Sequence, residues 1–178
     1  MAESKNLNHD PGRRKLETTH VLFASFLGAN ADFGLFSQGS AQLVMPRVAR
    51  YVMGYFEEKN RLPTFSTDPM ENLQIVVDFL QREIGLAEDF GFSEDGQTLW
   101  VRSDTCKLCP KGVGGAEIKS TACPYPHFIL EAVNIVSPGQ KLALDTPNHR
   151  LITKADNNCL IGFKPVAEGQ SLPPLKEI

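Results

Sequence analysis

The spacing of four cysteines constrains how this chain of 178 residues can fold. Cys106 and Cys109 are separated by two residues, and thirteen residues lie between Cys109 and Cys123. A C-x-x-C step lets two sulfurs converge on one ion, and Pro110 and Gly112 let the backbone amides turn toward the thiolates. If the three thiolates share an ion, the segments that carry them must meet in the fold.

The cysteine cluster predicts a metal site. Cys106, Cys109 and Cys123 supply three ligands, and the fourth is expected to be Cys159, with His127 as the alternative. His127 follows Cys123 by four residues, on the same face of a predicted helix. Zinc is the expected cofactor, because structural zinc takes four sulfur or nitrogen ligands. A cysteine-bound iron–sulfur cluster needs the same residues and stays open as an alternative.

The same thiols allow two other interpretations. They could be reduced free thiols, with Cys159 simply packed in an apolar strand. They could also act as a redox sensor, because a helix N-terminus would lower the pKa of Cys123 and the C-x-x-C pair can form a disulfide. Zinc binding and sensing are compatible, since oxidation would eject the ion. We favour a structural metal.

Composition and charge exclude several classes of function. A net charge of -3 provides no basic surface for nucleic-acid binding through this domain. No apolar run reaches the roughly twenty residues of a transmembrane segment, and the polar N-terminus lacks a secretory signal. We therefore expect a cytoplasmic protein. In that compartment clustered cysteines indicate metal or redox chemistry rather than disulfides.

One domain is expected between two tails. Residues 1–17 are polar and predict a flexible N-terminal arm, and residues 165–178 contain three prolines and predict a C-terminal tail. Residues 18–164 form the single domain, which is long enough to bury a core without disulfides.

Apolar residues recur at three- and four-residue spacing in four segments, which predicts four helices. The second contains Pro46, which lacks an amide and predicts a kink or a late start. Asp68 and Pro69 are the expected N-cap and first residue of the third. The predicted bounds are Thr18–Leu27 with an interruption at Gly28–Asn30, then Gly39–Lys59, Pro69–Gly85, and Pro124 to about Val136.

Alternating apolar residues predict a β-hairpin before the cysteines. Phe90 and Phe92 precede the turn Glu94–Gly96, and Leu99–Val101 follow it and lead toward Cys106. Three more extended stretches follow the last helix, and the third should bring Cys159 back toward Cys106. These stretches are Lys141–Thr146, Arg150–Thr153 and Cys159–Phe163.

The order of these elements resembles the 4-vinyl-reductase-type small-molecule-binding domain, also called the hydrocarbon-binding protein family. The matching stretch, about Phe33–Val136, includes the strand entering Cys106-Lys-Leu-Cys109 and the Ala122-Cys-Pro124 step that opens the last helix. The resemblance implies an α+β fold related to TRAPP vesicle-tethering subunits. In such a fold, helices pack on a twisted antiparallel sheet around an apolar channel, with the cysteine loop at the sheet end.

The resemblance also implies a binding or sensory role for an apolar or amphipathic small molecule, hydrocarbon or lipid-like, and we expect a homodimer. No catalytic residue is predicted, because the sequence contains no nucleophile elbow, H-E-x-x-H or nucleotide fingerprint. A reductase acting on a tetrapyrrole vinyl group and a protein-interaction subunit are the rival functions. The side chains expected nearest the ligand are Phe23, Phe26, Phe33, Phe36, Met45, Phe56 and Phe79.

Overall fold

The computed structural model of the chain describes residues 15–111, 113, 123–147 and 150–166. Most of the predicted arm (1–17) and of the predicted tail (165–178) lies outside the described residues. Helices and antiparallel strands combine in an α+β fold, which confirms the predicted fold class. The elements are α1 (Thr18–Asp32), α2 (Gln38–Glu58), α3 (Pro69–Ile84), β1 (Phe90–Phe92), β2 (Thr98–Arg102), α4 (Tyr125–Val136), β3 (Leu142–Asp145), β4 (Thr153–Ala155) and β5 (Asn158–Pro165).

Helix α1 continues to Asp32, so the predicted interruption at Gly28–Asn30 is wrong. A glycine inside a helix costs only about 1 kcal/mol relative to alanine, and Gly28 lies on the buried side of α1. The helix ends one turn later, where Gly34 adopts a φ of 72° that suits glycine.

Helix α2 begins at Gln38, so a late start caused by Pro46 is also wrong. Ser37 and Ser40 decide the start by forming a capping box: the Ser37 amide donates to Ser40 Oγ at 2.7 Å, and the Ser40 amide donates to Ser37 Oγ at 3.3 Å. Pro46 lies buried inside the helix.

Helix α3 confirms its predicted start and end. The Asp68 carboxylate accepts a hydrogen bond from the Met70 amide at 2.9 Å, and Pro69 is the first helical residue. Gly85 ends the helix with a φ of 73°, and its amide donates to the Gln81 carbonyl at 3.0 Å. These local signals are sufficient to place the helix.

The sheet has the strand order β1-β2-β5-β3, with β4 also paired to β5, and every pairing is antiparallel. The predicted hairpin is confirmed, with Phe90 opposite Val101 and Phe92 opposite Leu99. The strand predicted at Arg150–Thr153 instead begins at Thr153, because the Arg150 amide still donates to the Pro147 carbonyl at 3.1 Å in the preceding turn.

Strand β5 carries Cys159 to the neighbourhood of the C-x-x-C loop. Cys159 pairs with Val101 on β2, the strand that runs toward Cys106. Asp156 and Asn157 adopt φ values of 48° and 65°, which form the tight turn between β4 and β5. The pairing of β5 with β2 therefore confirms that the chain brings Cys159 back toward Cys106.

The core lies among the helices and one face of the sheet, and α4 packs against α2, α3 and β3. Asn72 is a buried polar residue of this core, and its side-chain amide donates to the Ser66 carbonyl and to Ser137 Oγ, each at 2.9 Å. No helix among the described residues is long and apolar enough to cross a membrane. Fully buried core side chains include Leu73, Val76, Leu80, Leu99, Ile129, Val133, Leu142, Ile161 and Phe163.

Candidate functional site

The C-x-x-C loop is fixed to the segment that follows α3. Ala87 forms an antiparallel bridge with Cys106, and the Lys107 amide donates to the Leu86 carbonyl at 2.9 Å. The loop therefore has a defined position beside Leu86 and Ala87.

Gln81 holds this segment in place from the last turns of α3. Its side-chain oxygen accepts from the amides of Leu86 at 2.7 Å and Ala87 at 3.1 Å, and its side-chain nitrogen donates to the Ala87 carbonyl at 2.7 Å. Sequence reasoning missed Gln81, because its partners follow the helix end and a lone glutamine on a helix gives no signal of this role.

All four cysteines line one small pocket with a volume of about 50 Å³. Cys106 reaches it from the loop after β2, Cys123 from the residue before Pro124, the N-cap of α4, and Cys159 from β5. None of the four forms a disulfide within the described residues. The structure thus places the four proposed cysteine ligands around a common space.

Tyr125 joins this thiol cluster, defined as Cys106, Cys109, Cys123 and Cys159. Its side chain is 1% exposed, and its hydroxyl donates a hydrogen bond to the Leu86 carbonyl. Burial, followed by the charge of Cys106 and a hydrogen bond with it, raises the pKa of Tyr125 well above its usual range. Sequence reasoning missed Tyr125, although it is the third residue of the Cys123-Pro-Tyr step.

The thiols favour their neutral form. A hydrogen bond with Cys109, followed by burial, raises the pKa of Cys106 well above its usual range. Burial raises the pKa of Cys123, so the predicted lowering at the helix N-terminus is wrong because loss of hydration dominates. Burial also raises the pKa of Cys159, while the charge of Lys154 opposes the shift. Thiolates here would need a compensating cation.

The thiols are close but are not arranged around an ion. Within the described part of the chain, no group of three or more His, Cys, Asp or Glu side chains could hold a metal ion as it stands. The residues that line the cysteine pocket do not include His127. That side chain is 8% exposed, its Nε2 atom has no hydrogen-bond partner among the described residues, and burial lowers its pKa.

A second, larger pocket of about 310 Å³ lies between α1 on one side and α2 and α4 on the other. It shares segments with the thiol cluster: Leu108 stands between Cys106 and Cys109, and Pro124 follows Cys123. Side chains of the cysteine segments thus form part of its wall. The lining residues are Thr19, His20, Phe23, Met45, Val48, Val52, Ile84, Leu108, Pro124 and Phe128.

The seven side chains expected near a ligand occupy three environments. Phe23 and Met45 line the larger pocket. Phe36, Phe56 and Phe79 are buried in the core, where the last two meet edge to face with ring centroids 5.0 Å apart. Phe26 and Phe33 point outward and are 63% and 81% exposed.

His20 attaches α1, which covers the larger pocket, to the end of α3. Its Nδ1 atom accepts from the Glu17 amide at 3.1 Å, and its Nε2 atom lies 2.8 Å from the Ile84 carbonyl and 3.1 Å from the Gly85 carbonyl. In the tautomer with the proton on Nε2, the ring donates to these carbonyls while Nδ1 accepts from the amide. Sequence reasoning did not select His20 as a site residue.

Comparison with known proteins gives one family match and one similar protein. The MJ0207 family matches residues 34–165, a range that contains all four cysteines. The chain is also 29% identical over 90 residues to Uncharacterized protein MJ1342 of Methanocaldococcus jannaschii, an alignment that covers 50% of this chain and 76% of that protein. No solved structure matches the chain.

Proposed function

The chain belongs to the MJ0207 family, and we propose that it is a binding or sensory domain for an apolar small molecule. The observation that carries this proposal is the 310 Å³ pocket beneath α1. Ligand sites in proteins are typically about 300–1,000 Å³ in volume, mostly apolar, and supplied with a few polar groups. Here Thr19 and His20 are the polar members of an apolar wall.

The size of the pocket limits the ligand. An engineered apolar cavity of about 150 Å³ holds benzene, and the pocket beneath α1 is about twice as large. Because both ring nitrogens of His20 are engaged with backbone groups, the Thr19 hydroxyl is the side-chain group best suited to orient a polar end. We therefore favour a two-ring or medium-chain molecule that carries one polar group.

The thiol cluster supports a second part of the proposal, a structural metal ion, with zinc favoured over an iron–sulfur cluster. Four sulfur ligands match the closed tetrahedral sites in which structural zinc is found. Cys159 is favoured over His127 as the fourth ligand, because Cys159 shares the pocket with the other thiols. Binding would require the thiols to release protons and to draw together, since no metal-binding group exists among the described residues as they stand.

The two pockets would communicate through the segments they share. Leu108 lies between two proposed metal ligands and contacts the space beneath α1. A bound ion would fix the loop and hence the Leu108 side chain, which forms one wall of the ligand pocket. This arrangement supports a sensory role, in which the state of the thiols changes ligand affinity.

Calorimetric titration with 1-naphthol, a two-ring probe with one hydroxyl, tests the ligand pocket. Val52→Phe places a ring in the pocket and should weaken binding at least tenfold, or about 1.4 kcal/mol. Ile135→Phe, on an exposed position of α4, is the matched control and should bind like the wild type. Absence of binding to the wild type, or equal affinity in Val52→Phe, would contradict the proposal.

A thiol redox sensor is the second candidate, favoured by the hydrogen bond between the Cys106 and Cys109 thiols. Hydrogen peroxide would take two electrons and two protons from this pair, which forms a disulfide while the peroxide becomes two molecules of water. Titration of free thiols after mild peroxide treatment should then show two fewer thiols per chain. Loss of thiols only in unfolded protein would exclude the sensor.

A further inference from the structure

The outer sides of α1 and α2 expose large apolar side chains. Three of these residues are mostly solvent-accessible: Phe33 is 81% exposed, Tyr51 is 75% exposed and Leu22 is 71% exposed. We call this surface the α1–α2 face and define it by Leu22, Phe26, Phe33, Val44, Tyr51 and Tyr55.

Helix α1 is apolar on both its inner and its outer side. Ala24 and Leu27 are buried against the protein, whereas Leu22 and Phe26 face outward. The sequence from Thr18 to Ala31 contains no Asp, Glu, Lys or Arg. A surface helix normally carries charged residues on its outer side, and a helix that is apolar all round is normally buried. The outer side of α1 therefore has the character of a covered surface.

Helices α1 and α2 lie on two sides of the same pocket. Val48 and Val52 of α2 line the pocket beneath α1, so this side of α2 lies next to α1. At about 3.6 residues per turn, Val44, Tyr51 and Tyr55 fall on the adjoining side of α2. Leu22 and Phe26 are four residues apart, which aligns them along the outer side of α1, and Phe33 directly follows the helix.

The area of this face is sufficient for a stable interface. Aromatic side chains present about 150–250 Å² each, so the four rings at the measured exposures present roughly 500 Å². Leu22 and Val44 raise the apolar total to roughly 600 Å², the upper end of what a monomer usually exposes. Two such faces would together bury roughly 1,200 Å², the lower end of the range for specific interfaces.

Charge and shape along α2 favour a second copy of this chain as the occupant of the face. Arg47 and Glu58 are both exposed and lie eleven residues apart, or about 16 Å along the helix, so they cannot pair within one chain. In an antiparallel pair of α2 helices, Arg47 of each copy faces Glu58 of the other. These two residues belong to a strip along the exposed side of α2, which we define as Arg47, Tyr51, Gly54 and Glu58.

The same antiparallel register places Tyr51 of one copy opposite Gly54 of the other. The pair Arg47 and Glu58 and the pair Tyr51 and Gly54 are both centred between residues 52 and 53 of the helix. A Cβ atom added at Gly54 would meet nothing within 4 Å, so a ring from a second copy has room there. A twofold interface requires such a self-complementary strip, in which each element meets its own partner. We propose that two copies associate through the α1–α2 face with their α2 helices antiparallel.

Association through this face requires neither ligand nor metal. Light scattering coupled to size-exclusion chromatography should give twice the mass of one chain for the wild type. Tyr51→Glu should give the mass of one chain in the same experiment. Its circular dichroism spectrum should match that of the wild type, because Tyr51 lies outside the core. Ile135→Glu, an exposed apolar position outside the face, should leave the dimer intact. A monomeric wild type, or a dimer unaffected by Tyr51→Glu, would overturn the proposal.

The antiparallel register has its own test. Arg47→Glu and Glu58→Arg should each weaken the dimer at least tenfold in dilution experiments, because like charges then face each other. The double variant Arg47→Glu with Glu58→Arg should recover an affinity close to that of the wild type. Additive losses in the double variant would overturn the antiparallel pairing.

Discussion

Replacing Gln81 with methionine tests whether α3 holds in place the segment beside the C-x-x-C loop. The substitution keeps the length of the side chain but removes three hydrogen bonds to Leu86 and Ala87. A hydrogen bond contributes about 1 kcal/mol, and more when its partner is left buried without another. Because Gln81 is only partly buried, water can replace some of the loss. We therefore expect the free energy of unfolding to fall by about 2–4 kcal/mol.

Urea denaturation followed by circular dichroism measures this loss in protein treated with a chelator, so that a metal ion does not contribute. In a chain of this size the melting temperature should fall by roughly 5–10 °C. Gln74→Met, on the exposed side of the same helix, is the matched control and should change stability by less than about 0.5 kcal/mol. A Gln81→Met protein as stable as the control would refute the anchoring role.

Two further predictions concern the thiols. Cys106→Ser, Cys109→Ser and Cys159→Ser should each lower both the zinc content, measured by elemental analysis, and the stability of the protein. His127→Ala should retain its zinc. Unchanged zinc content in the serine variants would rule out these cysteines as ligands. The raised pKa values of Cys106, Cys123 and Cys159 mean that the neutral thiols stabilise the metal-free fold below their unfolded pKa of about 8.5. This contribution is lost as the pH rises through the folded-state pKa, so urea unfolding should show lower stability at alkaline than at neutral pH, and a flat profile would contradict the burial of the thiols.

Local chemistry made some elements predictable from the sequence. The bounds of α3 follow from Asp68 and Pro69 at its start and from Gly85 at its end, and each acts through its immediate neighbours. The β-hairpin likewise follows from alternation around a short turn. Where burial outweighs a local preference, the sequence misleads: Gly28 remains inside α1 because it lies on the buried side of that helix.

Part of the candidate site could also be predicted from the sequence, and part of it depends on the fold. The sequence predicts that the cysteine segments meet, and the structure places all four thiols around one pocket. The roles of Gln81 and Tyr125 depend on partners that only the fold brings to them. The pKa of Cys123 was predicted in the wrong direction, because the extent of burial cannot be read from a helix start.

The phenylalanines show most clearly that the sequence does not reveal the environment of a side chain. Phe23, Phe33 and Phe56 are chemically identical in the sequence, yet one lines a pocket, one is exposed and one is buried in the core. Periodicity assigns a residue to a face of a helix but does not reveal what covers that face. The pocket beneath α1 arises from the way α1 lies over α2 and α4, which no single segment encodes.

We propose that the thiol cluster and the ligand pocket are coupled through Leu108. The affinity for 1-naphthol, measured by calorimetry in zinc-loaded and in chelator-treated protein, tests this coupling. Coupling between two sites is typically worth about 1–3 kcal/mol, or roughly 5- to 150-fold in affinity. We expect binding at least fivefold tighter in the zinc-loaded protein, because the fixed loop preorganises the Leu108 wall. Equal affinity in the two states, with zinc shown to be bound in one of them, would contradict it.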